Sequence, residues 1–107
     1  LAGKKLVAPT SALEQAFFVL DNIKEKADSG DLLASSGAEQ LDIQGQDGET
    51  SSFYLKNDRV CLYKGNTFYL TGTETPLSAL TFGYLSTKRI SSVLFEFRTG
   101  QTLSLNL

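Results

Sequence analysis

The sequence predicts an α+β domain: one N-terminal amphipathic helix packed on an antiparallel meander sheet of five to six strands. Three observations carry this. Apolar residues recur at helical spacing between Leu13 and Ala27, they alternate with period two from Leu41 onward, and Asn, Asp and Gly clusters punctuate the alternating runs. With 107 residues, residues 1–107 form a single globular head with one core.

Pro9-Thr10-Ser11 precedes the periodic segment, and Ser11 with Glu14 has the spacing of a capping box, which starts the helix at about Ala12. At helical spacing Leu13, Ala16, Phe17, Val19, Leu20, Ile23 and Ala27 fall in one arc of roughly 160°, a core-facing stripe. Asp28-Ser29-Gly30 ends it. Phe18 projects among Glu14, Gln15, Asn22 and Glu25 on the opposite face. Either the polar loop from Asp31 to Gln40 folds over it, or it is a contact residue for another chain.

In the strand region, LDIQ puts Leu41 and Ile43 on one face, and Gly45 to Gly48 reads as a turn. Taking Asn57-Asp58 as a two-residue turn pairs Lys56 with Arg59, Leu55 with Val60, Tyr54 with Cys61 and Phe53 with Leu62. The aliphatic partners then share one side, and Tyr54, Cys61 and Tyr63 share the other, so a one-residue slip would exchange core for surface. A three-residue loop at Gly65-Asn66-Thr67 sets Lys64 opposite Phe68, Leu62 opposite Leu70 and Tyr63 opposite Tyr69. SALTFGYLS alternates with Leu80, Phe82 and Tyr84 on one face. A three-residue connection from Thr99 to Gln101 sets Phe97, Phe95 and Val93 opposite Leu103, Leu105 and Leu107.

Composition narrows the chemistry. A formal charge of −2 gives no general attraction to phosphate, so nucleic acid is not an expected partner. The charge is uneven: residues 1–50 hold nine acids and four bases, residues 51–107 three acids and six bases. Chance distribution over a solvated surface is one reading; copies meeting acidic half to basic half is the other. There is no histidine, and Cys61 is the single cysteine, so no internal disulfide forms and no base stands ready to activate the thiol. No enzyme activity, cofactor or metal is therefore expected. The loop DIQGQDGE gathers Asp42, Asp47 and Glu49 around two glycines, but off the EF-hand spacing, and a polar turn needs the same residues. No apolar run reaches the length of a membrane span, and LAGKKLVAPT lacks the apolar centre of a signal peptide. The candidate contact residues are Phe18, Tyr54, Tyr63 and Tyr69. The three tyrosines on the outer sheet face supply either a recognition surface or cross-strand stabilisation.

The helix SALEQAFFVLDNIKEKA, a variable polar loop, FYLKNDRVCLYKGN, PLSALTFGYLS and the closing pair ISSVLFEF and TLSLNL together resemble the soluble heads of type IV pilin-like proteins. The likeness is strongest to minor pilins and the pseudopilins of type II secretion. It lies in order and spacing over residues 53–63, 77–85 and 90–107. The resemblance implies a structural subunit of a bacterial type IV pilus or type II secretion pseudopilus, with other pilin or pseudopilin subunits as partners. It also implies a place in the cell envelope, periplasmic or surface-exposed, and an N-terminal membrane helix ahead of Leu1, because residues 1–107 lack the family's leader and apolar segment. A small periplasmic ligand- or inhibitor-type binding module, such as a cystatin-like domain, shares the helix-on-curved-sheet plan. An apolar pocket between helix and sheet would favour that module.

Overall fold

A computed structural model describes the backbone of residues 2–107 and the side chains from residue 12 onward. Helix α1 (Ala2–Ser29) leads into β1 (Gly30–Leu32), β2 (Gln40–Gly45), β3 (Thr50–Lys56), β4 (Arg59–Tyr63), β5 (Thr67–Tyr69), β6 (Leu77–Ser86), β7 (Arg89–Phe97) and β8 (Thr102–Asn106). The expected single sheet is replaced by two. One is a five-stranded antiparallel meander in the order β1 to β5, the other a three-stranded meander in the order β6 to β8.

The division falls where β5 stops. Leu70 still donates its N–H to the Val60 carbonyl at 2.8 Å, but Val60 donates to the Thr71 hydroxyl at 3.0 Å, so a side chain replaces the next rung of the ladder. The chain then leaves the sheet. Gln15 of the helix holds the departing segment, its side-chain oxygen accepting from the Gly72 N–H at 2.7 Å and the Thr75 hydroxyl at 3.0 Å. β6 crosses the end of the first sheet at which β2 begins: Leu77 N–H reaches the Asp58 carbonyl in the β3–β4 turn, and Phe82 N–H reaches that of Ala38 just before β2. Because both sheets bury an apolar face, the helix completes one core over the two of them. Val19, Leu20 and Ile23 lie in a cluster with Leu41, Ile43, Phe53, Val60, Leu77, Phe82, Val93 and Phe95.

The helix departs from expectation at both its start and its buried face. Its bounds take in Ser11, which is therefore an interior residue and not a cap; the Ser11 side chain lies outside the described residues. The buried arc is Ala12, Ala16, Val19, Leu20 and Ile23, about 100° wide at helical spacing. Leu13 and Phe17, expected in the core, stand 41% and 45% exposed at the rim of that arc. Two sheets meeting under the helix form a furrow that takes a narrow stripe, whereas one broad sheet would have covered the wider one.

At its C-terminus the helix passes straight into β1, which pairs Gly30 with Gly45 and Leu32 with Ile43. Gly30 makes this possible, since a Cβ there would lie 2.6 Å from the Gln44 carbonyl and 2.8 Å from the Ile43 side chain. Part of the presumed polar loop is thus a strand, and the loop does not cover Phe18, which stays 54% exposed.

The β3–β4 hairpin has the expected register, with Asn57 and Asp58 both left-handed at φ 55° and 61°. The β4–β5 and β7–β8 hairpins turn one residue earlier than expected. β4–β5 pairs Tyr63 with Thr67, Leu62 with Phe68 and Cys61 with Tyr69, looping through Lys64-Gly65-Asn66. β7–β8 pairs Phe95 with Leu103 and Val93 with Leu105, looping through Arg98-Thr99-Gly100. In both cases each side chain keeps its face and changes only its partner. Burial cannot choose between such registers. The left-handed glycines choose, Gly65 at φ 75° and Gly100 at φ 95°.

Candidate interaction surface

The outer face of the five-stranded sheet, turned away from the helix, gathers three of the four candidate contact residues. The row Tyr54, Cys61, Tyr69 runs across β3, β4 and β5, and Tyr63 sits diagonally beside it. Alternation sends these side chains outward because Phe53, Val60 and Leu62 go inward. Cys61, between Tyr54 and Tyr69 in that row, is fully buried. The neighbouring thiol, together with burial and the nearby tyrosines, raises the Tyr54 pKa. The Arg59 guanidinium lies 4.1 Å from the centre of the Tyr69 ring and donates to the Thr71 carbonyl at 2.8 Å, while Asn57 donates to the Tyr69 hydroxyl at 2.9 Å. The rings are held from one edge, and Tyr63 remains 45% exposed.

Phe18 is not part of this surface. The helix packs on the inner face of the same sheet, so Phe18 points away from the molecule on the other side. It has company that the sequence pattern does not show: Leu13 and Phe17 are exposed along the same helix. Asn22 donates back to the Phe18 carbonyl at 2.9 Å.

The carboxylates of DIQGQDGE do not converge. Asp47 and Glu49 flank Lys64, with contacts of 3.8 and 3.5 Å that raise the lysine's pKa. Asp42, by contrast, is 3% exposed on the outer face of β2. Its carboxylate accepts from the Ser35 and Ser52 hydroxyls, each at 2.6 Å, and from the Gln40 amide at 3.0 Å. Burial alone pushes this carboxyl up; the hydrogen bonds from Ser35, Ser52 and Gln40 outweigh it and hold the pKa below the ordinary 3.8. No cation pairs with Asp42 among the described residues, and no group of three acidic, His or Cys side chains there is arranged to hold a metal. The arrangement is a clasp. Ser36 donates to the Asp42 carbonyl and Leu33 N–H also reaches it, tying residues 33–40 to β2. Tyr84 completes the tie by donating to the Gly37 carbonyl at 2.7 Å, and burial raises its pKa, with the Asp42 charge adding to the effect.

The clefts lie at the rims of the core. One of about 270 Å³ opens between Lys26 and the Asp47–Lys64 group; another of about 420 Å³ lies between Lys24 and the start of β7; an apolar groove runs between Leu33 and Leu85. None lies beneath the centre of the helix, where Val19, Ile23, Phe53 and Val60 have no measurable exposure.

No protein-family model, curated protein or solved structure matches this chain. No helix among the described residues is long and apolar enough to cross a membrane.

Proposed function

We propose that this chain is the head of a structural subunit, a minor pilin or pseudopilin of a bacterial type IV pilus or type II secretion pseudopilus, held in the cell envelope and acting by packing against other subunits. The observation that carries the reading is the helix. Leu13, Phe17 and Phe18 stand exposed on it, and three large apolar side chains on one surface helix cost solubility unless another surface covers them. Their position on the element that would continue the membrane helix of the resembled family supports a partner that is another subunit.

The competing module with a ligand under its helix is less well supported, because the space between helix and sheets is filled by side chains. An enzymatic reading finds little to work with: the one thiol is buried among phenols, and the most buried carboxylate is engaged by two hydroxyls and an amide.

The test uses the full-length protein in its own cells. Replacing Phe18 and Tyr63 together by serine leaves the head folded, with an unchanged unfolding midpoint, and lowers its incorporation into filaments. A full-length protein that never enters a filament, before any substitution, rules the reading out.

A further inference from the structure

We propose that the head associates with a second copy of itself head to tail, the acidic apolar face of α1 on one copy docking against the basic tyrosine face of the five-stranded sheet on the next. This deepens the subunit reading, on which it rests, by naming both halves of one contact.

On the helix, Glu14, Phe18, Asp21 and Glu25 follow one another at spacings of four, three and four residues and so form a single stripe, with Leu13 and Phe17 alongside. The three carboxylates are exposed, and none forms an ion pair among the described residues. The sheet face has the opposite character. Lys56 and Arg59 sit directly across from each other beside Tyr54 and Tyr69, and Tyr63 lies two rows further along the same face. Two like charges in a cross-strand pair repel, and no carboxylate among the described residues relieves them. The carboxylates on that face are Asp42, which is buried, and Asp31, on the far edge strand β1. Each surface thus lacks what the other carries: three carboxylates without a cation beside exposed phenyl rings, and beside the phenols an exposed Lys56 and an Arg59 that is held by Tyr69 and the Thr71 carbonyl but meets no carboxylate among the described residues.

The two surfaces lie on opposite sides of the sheet, because the helix covers its inner face and the tyrosines occupy its outer one. A single copy cannot bring them together, and a pair that joins them leaves one of each free. Such a contact is heterologous and propagates into an open chain unless its rotation closes a ring. The charges add specificity and salt dependence, and the aromatic side chains add burial.

Complementation between two variants tests this. Phe18→Ser with Asp21→Lys removes the helix face, and Lys56→Glu with Tyr63→Ser removes the sheet face; all four positions are exposed or only lightly packed, and circular dichroism verifies the fold. By sedimentation and concentration-dependent amide NMR shifts at low salt, the unaltered chain should show an average mass that rises without a plateau. Raising the salt to about 0.5 M should weaken association roughly tenfold, because screening then acts over only a few ångströms. Each variant alone should stay monomeric, and the two mixed should form a dimer and stop there. An unaltered chain that remains monomeric at millimolar concentration overturns the proposal, as does a mixture that fails to pair or a variant that still polymerises alone. If the heads fail to associate in this way while the full-length protein still enters filaments, this contact is wrong and the subunit reading survives; absence from filaments removes the reading itself.

Discussion

Asp42→Asn isolates the clasp that ties residues 33–40 to β2. The substitution keeps the side chain's shape and one acceptor oxygen, but removes the charge that strengthens the bonds from Ser35 and Ser52 at 2.6 Å and from Gln40 at 3.0 Å. A hydrogen bond to a charged group contributes about 1 kcal/mol more than a neutral one, so three of them give a loss of about 2–3 kcal/mol. In a domain of this size that lowers the melting temperature by roughly 10 °C. The sign of the pH dependence follows from the carboxyl's depressed pKa. The stabilisation is fully present above the unfolded value near 3.8 and is lost as pH falls through the lower folded value. Urea unfolding of both proteins at pH 7 and near pH 2.5 should therefore show a gap that shrinks on acidification. A gap of undiminished size at low pH, or none at pH 7, would refute the charged clasp.

Gly30→Ala places a methyl group against the Gln44 carbonyl and the Ile43 side chain at the helix-to-strand junction, and should cost about 1–3 kcal/mol by overpacking in urea unfolding; a neutral result would mean the junction has slack. Gly100→Ala meets open space and should cost about 1–2 kcal/mol from backbone conformation alone, with Gly100→Asn milder, as chemical denaturation can verify. Cys61 should react with a thiol reagent only as fast as the protein opens, so its labelling rate should rise in parallel with denaturant; prompt labelling of the native protein contradicts its burial among the tyrosines.

The legible parts of the fold were those that local chemistry decides. Asn57-Asp58 dictated a two-residue turn, and period-two alternation then fixed Phe53, Val60 and Leu62 as core in the β3–β4 pair. Registers that differ by two residues bury the same faces, so alternation was silent about Thr67 against Tyr63 and Leu105 against Val93, where the position of a left-handed glycine was decisive. The second sheet was hidden for a different reason. It depends on the Thr71 hydroxyl ending one ladder and on Gln15 catching residues 72–75 from a helix more than fifty positions away. Of the candidate surface, the tyrosine cluster could be read from alternation. The exposure of Leu13 and Phe17 could not, because a helical stripe shows which residues are apolar and not how wide a furrow receives them.

Zero-length carbodiimide cross-linking of the unaltered chain tests the central claim most directly, since it joins only carboxylates and amines already in contact. In a mixture of isotopically light and heavy protein, Lys64 should link to Asp47 or Glu49 within one copy, as their contacts require. The account predicts in addition a link between copies, from Lys56 to Glu14, Asp21 or Glu25. Cross-links confined to the Lys64 group, with none from Lys56 to the helix of another copy, would contradict it.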